Sequence, residues 1–379
     1  MKILEVISDT NIGGAGVVLL TRINTAPSEY KNNTTVILPQ GSALKKRFEA
    51  CEIKVEEICI KGDKSFALIA IFKYKKLLKR LSPDIINCHG ALSCRIAAYF
   101  CRVPIRLYTR HCAFPLSKIW KNKLYKRLIS NIQIRLSNHV IAVAEAAKDN
   151  LTDMGIKENR ITVIINGVDK IKASSEEEKD ALRKKLNIHS GCTVIGIFAR
   201  LEKCKGHDDF LNAAKIISEN STNFKFLIVG DGSAKLALKR KCYELGLDRY
   251  VVFTGFIENT APYFGITDIN INCSNGTETS SLALSEGMSL GIPAVVSDFG
   301  GNPYMIRNGY NGFVYPVGDY TTLAKYIICL AKNREKYLLF SQNSKKRYKN
   351  EFNSKEMSRQ TYTLYKELAY RHSIKTQKS

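Results

Sequence analysis

Two successive α/β domains, each a doubly wound parallel sheet, are what three features of this chain predict. Short apolar runs alternate with amphipathic stretches through residues 2–165 and again through 193–297, and strands that alternate with helices pair in parallel, with helices on both faces. Between the two series the apolar periodicity gives way to the turn Asn166-Gly-Val-Asp169 and a charged, solvated helix within 174–185. A chain of 379 residues with 45% hydrophobic content can bury a full core in each half. The expected boundaries are 1–166 for the first domain, 167–190 for the connector and 191–350 for the second domain. Residues 351–379 are expected to form a C-terminal helix that packs back toward the first domain, with a basic tail.

In chain order, residues 2–8 form an apolar strand pattern that runs through the glycine-rich Asp9-Thr-Asn-Ile-Gly-Gly-Ala-Gly16 into a helix over 17–26. Strand 34–38, helix 42–50, strand 53–60, helix 65–81, strand 84–88, helix 91–101 and strand 105–109 follow. A long basic helix at 117–136, strand 139–143, helix 145–154 and strand 161–165 close the first domain. The second series reads strand 193–199, helix 207–219, strand 224–229, helix 233–245, strand 250–253 and a short helix at 260–264. Strand 268–273, a loop, a helix starting at Ser280 or Ser281, and strand 292–297 come next. A last strand at 312–315 precedes helices over 320–333 and 337–370, and the polar stretch 371–379 reads as frayed.

Composition narrows the function classes. No apolar run approaches the roughly 20 residues needed to cross a bilayer, and the chain opens on a strand rather than a signal peptide, so a cytoplasmic protein is expected. The 11 cysteines stand singly in apolar contexts, which reads as reduced, buried thiols. Cys88, His89, His111 and Cys112 match no zinc spacing, so no metal site is expected. A net charge of +23 calls for an anionic partner, and residues 1–166 carry 27 Lys and Arg against 13 Asp and Glu, a net of +14.

The residues with chemistry to offer cluster after strands. Glu278 falls in the loop and Glu286 on the helix of the stretch Asn275–Asp298. If the helix spans their interval they stand roughly 12 Å apart along its axis. The helix N-terminus between them favours a phosphate, while the bland alternative is two solvated helix-end charges. Arg200 and Lys205, in Ala199-Arg-Leu-Glu-Lys-Cys-Lys-Gly206, follow the first strand of the second domain. A guanidinium fork and an ammonium there can clamp a diphosphate. Gly13 and Gly14 sit in a strand-to-helix turn of the kind that approaches phosphates, or simply turns tightly. Leu19 occupies the third glycine position of a dinucleotide fingerprint and no acidic residue follows the second strand, which argues against a dinucleotide site.

These stretches together resemble the retaining glycosyltransferases of family 4 (glycosyl transferases group 1), with the GT-B fold of two Rossmann-like domains facing a central cleft. The resemblance spans nearly the whole chain: Gly13-Gly14, Asn166-Gly-Val-Asp169, Arg200 with Lys205-Gly206, Val229-Gly-Asp-Gly232, Phe253-Thr-Gly-Phe256, Glu278 to Glu286, and Gly291-Ile-Pro-Ala-Val-Val-Ser-Asp298 with Gly300-Gly301. It implies an acceptor-side first domain and a nucleotide-sugar-binding second domain. It also implies that Arg200 and Lys205 hold the diphosphate, Glu286 takes the ribose hydroxyls and Glu278 the sugar hydroxyls. Backbone N–H groups near Ser281 and Leu282 and the backbone of Gly14 would meet phosphate, His111 would act at the sugar and β-phosphate, and Phe256 and Ile257 would border the base. The implied reaction is metal-independent and retains configuration through front-face displacement. It uses no cofactor, because the nucleotide-sugar, expected to be UDP-linked, is a substrate. Thr279-Ser-Ser281 departs from the family's usual residues after the first glutamate and reads either as sugar contacts or as helix caps.

The acceptor side is read from charge. The helix over 117–136 places Trp120, Leu124, Leu128 and Ile132 at helical spacing among Lys118, Lys121, Lys123, Lys126 and Arg127, and 71–80 is a second basic amphipathic stretch. Such helices either lie on an anionic membrane surface or pack their apolar stripe on the sheet. The expectation is a peripheral enzyme at the inner membrane face that acts on a glycan or lipid-linked acceptor, with His89 a candidate for the acceptor side. A nucleotide-sugar epimerase on the same scaffold is the rival reading. Nucleic acid is not expected, since the basic stretches carry no recognition motif.

Overall fold

The computed structural model describes residues 1–60, 67–113 and 116–377, in two compact units, Met1–Val168 with Ser354–Ser379, and Asp169–Asn353. The first unit holds a parallel sheet of seven strands: β1 (Ile3–Ile7), β2 (Thr34–Pro39), β3 (Lys54–Ile58), β4 (Ile85–His89), β5 (Ile105–Arg110), β6 (His139–Ala142) and β7 (Ile161–Val163). Their spatial order is β3-β2-β1-β4-β5-β6-β7. The second unit's sheet contains β8 (Thr193–Phe198), β9 (Phe224–Val229), β10 (Val251–Gly255), β11 (Ile269–Asn272), β12 (Ala294–Ser297) and β13 (Gly312–Tyr315), in the order β10-β9-β8-β11-β12-β13. All described pairings between these strands are parallel. Both sheets are doubly wound, as the alternation of elements predicts.

Central strands are buried on both faces because helices cover both, which is why β1 reads as an unbroken run of buried residues. In the edge strand β3 only Ile58 is buried, and its charges are paired, Glu56 with Arg80 and Glu57 with Lys45. In each sheet the strand order reverses once, between β1 and β4 and between β8 and β11. Loops leaving the carboxyl ends at such a switch point diverge and leave a crevice. The segments after β1, β8 and β11 carry Gly13, Lys205 and Glu278, and His89 is the last residue of β4.

The helices differ from expectation in instructive places. The basic helix over 117–136 is broken: one turn, Lys118–Lys121, ends at Asn122, whose side chain accepts from the N–H groups of Leu124 and Tyr125 and so caps a new helix, Lys123–Leu136. Ser175 and Glu178 form a reciprocal capping box that starts Glu176–Lys185. The stretch read as one helix over 337–370 divides into Arg334–Arg347, a wide turn at Tyr348–Phe352, and Ser354–Gln377, so most of the expected frayed tail is helical. The buried Arg347 explains the wide turn. Its guanidinium donates to the carbonyls of Tyr304 and Met305 and to Glu351, and so draws the backbone off the regular ladder. The first two residues of the helix expected over 65–81 lie outside the described residues; its remainder is Leu68–Leu81.

The final helix belongs to the first unit. Ser354 N–H donates to the Val168 carbonyl, Ser358 meets Thr25 and the Arg22 carbonyl, and Tyr365 donates its hydroxyl to Glu5 Oε1 at 2.8 Å under β1. Removing one donor from a buried carboxylate leaves desolvation uncompensated. Tyr365→Phe is therefore expected to lower stability against guanidinium by about 1–2 kcal/mol, and an unchanged unfolding midpoint would contradict that account.

Candidate active site

In the second unit the loop from Asn272 to Ser281 is held by its own polar groups. Glu278 is buried, and a single oxygen, Oε2, accepts from Lys205 Nζ (2.9 Å), Asn272 Nδ2 (3.1 Å) and Ser274 Oγ (3.0 Å). Among the described residues no hydrogen bond is made to Oε1, so one edge of the carboxylate is fixed and the other has no protein donor. Lys205 also donates to the Thr277 carbonyl. A second tier sets the first: Asn272 Oδ1 accepts from Ser274 N–H and Asn302, and Ser297 donates to the Ser274 carbonyl. Asn272, Ser274, Ser297 and Asn302 were not singled out from sequence. The available signal was polar side chains at buried positions beside apolar strand runs.

The helix Leu282–Leu290 starts at Ser281, whose hydroxyl caps the Leu284 N–H. Glu278 thus precedes the cap and Glu286 lies in the second turn, so the rise expected for an uninterrupted helix between them does not apply. Ser281 N–H is directed at Met305 Sδ (3.2 Å), which leaves Leu282 N–H rather than Ser281 N–H as the first unspent donor at the positive end of the helix. Glu286 is half-buried, and burial pushes its carboxyl up to about 7.

Arg200 stands exposed at the carboxyl end of β8, where the Leu201 N–H donates to the Asp231 carbonyl. Phe256 and Ile257 diverge: the Phe256 ring is 72% exposed after β10, whereas Ile257 packs against the buried cluster of Ile188, Val194, Leu227, Val229 and Ile266.

In the first unit Gly13 is the N-cap of Gly14–Asn24, in an extended conformation with no side-chain cap, and Gly14 is exposed. His111 lies just beyond β5 and His89 ends β4; His89 Nδ1 and His111 Nε2 approach to 2.6 Å. Behind them is Glu5, a carboxylate fully buried in β1. It meets Arg22 at 2.7 Å, Asn87 and His89 Nε2 at 3.0 Å, Tyr30 at 2.9 Å and Tyr365 at 2.8 Å. Burial alone would raise the Glu5 carboxyl, but Arg22, His89 and Tyr365 together bring it down to about 2. Burial lowers His89, and it lowers His111 well below the usual range with help from His89 and Arg22, so both rings are neutral at pH 7. Among the described residues no cluster of His, Cys, Asp and Glu could hold a metal ion.

Two family models divide the chain. Glycosyltransferase Family 4 matches residues 12–172 and Glycosyl transferases group 1 matches 178–347. The Bacillus anthracis N-acetyl-alpha-D-glucosaminyl L-malate synthase is 24% identical over 320 residues, 83% of this chain and 82% of that protein. The Escherichia coli UDP-Gal:alpha-D-GlcNAc-diphosphoundecaprenol alpha-1,3-galactosyltransferase is 27% identical over 296 residues, 76% and 75% of the two chains. Among solved structures, Anabaena HepE in complex with UDP and glucose aligns over 97% of this chain and 99% of its own with a TM-score of 0.82 at 23% identity.

The raised Glu286 carboxyl makes a prediction about stability. A folded value of about 7 against an ordinary 4.5 means the folded state prefers the protonated form. The penalty is absent below the unfolded value, grows as pH rises, and is complete above 7 at no more than about 3 kcal/mol. Glu286→Gln is expected to raise Tm at pH 8 and to give a shrinking gain toward pH 5; an equal gain at both would contradict the burial argument.

Proposed function

Because the chain belongs to the family 4, group 1 glycosyltransferases and has their GT-B fold, we propose that it is a retaining, metal-independent hexosyltransferase. In this reading it takes a UDP-linked sugar donor and a lipid-linked or otherwise anionic glycan acceptor. The observation that carries the reading is the one-sided restraint of Glu278 beside the free N-terminus of Leu282–Leu290. A carboxylate edge for sugar hydroxyls, an anion-favouring helix end and a second carboxylate for ribose hydroxyls follow the order of parts in a nucleoside-diphosphate sugar. The donor named for the Escherichia coli relative is UDP-linked and its acceptor is a GlcNAc carried on undecaprenyl diphosphate, which supports both halves of the proposal.

Arg200 and Lys205 stabilise the charge that builds on the departing diphosphate, and Leu282 N–H adds a preorganised donor. Glu286 in its ionised form accepts from the ribose, and Glu278 Oε1 accepts from the sugar. Phe256, with its exposed ring, borders the base, Gly13 and Gly14 keep the roles that the family pattern implies, and His111 acts at the sugar. Front-face displacement forms the bond from the acceptor oxygen to the anomeric carbon on the face from which the diphosphate leaves. The acceptor proton passes to a phosphate oxygen of the leaving group, so the protein supplies positioning and electrostatics, with no resident cofactor.

Membrane docking is supported by what the basic helix does not bury. Leu124 (79% exposed), Leu128 and Ile132 stand in solvent among Lys118, Lys121, Lys123, Lys126 and Arg127, and of Lys123–Leu136 only Ser130 and Leu136 are buried. On Leu68–Leu81 one stripe, including Tyr74 and Leu78, packs inward while Leu68, Ile69 and Phe72 stay exposed, and Lys75 lies over both Phe72 and Phe100. Apolar side chains ringed by lysines suit an anionic interface. No described helix is long and apolar enough to cross a membrane, so the proposal is peripheral attachment at the cytoplasmic face.

Thermal stabilisation across nucleotide-sugars tests the donor site: at least one UDP-sugar is expected to raise Tm, with the gain abolished in Lys205→Ala and weakened as pH falls below 7. No stabilisation by any nucleotide-sugar would overturn the proposal. The product of the best donor is expected to keep its anomeric configuration, whereas a donor epimerised without acceptor would favour the rival enzyme. The protein is expected to sediment with anionic liposomes at low salt, and Leu124→Ser with Leu128→Ser to reduce that about tenfold or more; failure of the unmodified chain to sediment would remove the membrane from the account.

A further inference from the structure

Glu5 is an ionised carboxylate inside an apolar strand, and nothing in the transfer chemistry above uses it. It does not stand alone. An ionised carboxylate can only accept hydrogen bonds, so the contact at 3.0 Å between Glu5 Oε2 and His89 Nε2 places a proton on His89 Nε2. A second proton on Nδ1 would make His89 a buried cation near Arg22, which the low dielectric disfavours. His89 Nδ1 is then a bare acceptor. The 2.6 Å contact to His111 Nε2 requires one proton between two ring nitrogens, and that proton must be carried by His111. A neutral His111 with its proton on Nε2 has an unprotonated Nδ1.

We propose that Glu5 and His89 are positioning residues that lock His111 in the Nε2–H tautomer, so that its bare Nδ1 accepts a hydrogen bond from a substrate hydroxyl. A phosphate oxygen, itself only an acceptor, is thereby excluded as the partner of this nitrogen. Other groups around the chain of contacts reinforce the direction. Tyr30 and Tyr365 donate to Glu5 Oε1 and Asn87 donates to Oε2, while Asn87 Oδ1 accepts from Thr109, so every neighbour of the carboxylate is a donor. Asp9 also acts on the His89 ring, Cys88 adjoins His89 in the chain, and Arg110 and Cys112 flank His111. A carboxylate that orients a histidine through its distal nitrogen is a recurrent device for fixing tautomer and ring position. Here one imidazole lies between the carboxylate and the histidine it sets.

That the hydroxyl belongs to the sugar donor or its acceptor rests on the transferase reading; the tautomer does not. Long-range proton–nitrogen correlation spectra of the full chain with nitrogen-15-labelled histidine, with His111 assigned by its loss in His111→Gln, read the tautomer without any ligand. The expected pattern at neutral pH is a protonated Nε2 and a bare Nδ1 on His111. The reverse tautomer, an imidazolium or a rapidly averaged pair would overturn the proposal. In His89→Ala the His111 signals are expected to average between tautomers and kcat to fall about 10- to 100-fold, with the donor KM little changed. Unchanged signals and kcat would overturn the relay, and if that variant does not fold the spectrum of the unmodified chain decides alone. Absence of nucleotide-sugar binding by the unmodified chain would instead overturn the transferase reading and leave the tautomer to stand or fall on its spectrum.

Discussion

The candidate donor site depends on backbone packed against backbone where no side chain fits. A Cβ on Gly206, which has φ +66°, would fall 1.9 Å from the Cys273 carbonyl oxygen, and one on Gly301 would fall 1.9 Å from that of Thr279. The loop that carries Glu278 is thus held between the turn after Lys205 on one side and the Gly300-Gly301 turn on the other, where the Gly301 N–H donates to the Glu278 carbonyl. This close approach lets Lys205 reach Glu278 Oε2 and lets Asn272 and Ser274 reach the same atom. A wider loop would leave a buried carboxylate without enough donors. The glycines and the charged residues are therefore one device: the first set the distance at which the second can act.

Three glutamates show how surroundings divide one functional group into different tools. Glu5 is surrounded by donors and a guanidinium and stays ionised in the core, which makes it an orienting anchor. Glu278 is restrained through one oxygen, which presents the other in a fixed direction. Glu286 is desolvated on a helix and titrates near neutrality, so it is held ready for partners that supply the hydrogen bonds the protein withholds. An arrangement of this kind costs folding free energy wherever a buried polar group is left without a partner.

Much of this was legible in the chain because the two sheets announce themselves. Doubly buried parallel strands need unbroken apolar runs, and every expected strand appears, with ends shifted by a residue or two. The positions of Lys205 and Glu278, after a strand and before a helix, and of Glu286 on the following helix agree with the sequence reading because the apolar runs on either side fix where the loop falls. Glu5 was not legible, although a charge amid Ile3–Ile7 is the kind of conflict that marks a buried partner; its partners Arg22, His89 and Tyr365 are far apart in sequence, and no periodicity links them. The break at Asn122 was hidden because asparagine is tolerated inside a basic helix pattern, and only the cap geometry shows it ending one helix and starting another. Whether Leu124 and Leu128 pack or stay exposed is likewise decided by tertiary contact rather than by spacing, because an amphipathic stripe looks the same in both cases.

The central claim is that Glu286 meets the hydroxyls of a nucleotide-sugar, and calorimetry can read this as a proton. Titrating a UDP-sugar near pH 6.5 in two buffers of different ionisation enthalpy separates binding heat from proton transfer, and the donor's phosphodiester charges do not titrate in this range. Hydroxyl donation to Glu286 stabilises its ionised form. The account predicts release of a substantial fraction of a proton on binding, lost in Glu286→Gln. Binding with no proton release, or release unchanged in that variant, would contradict it.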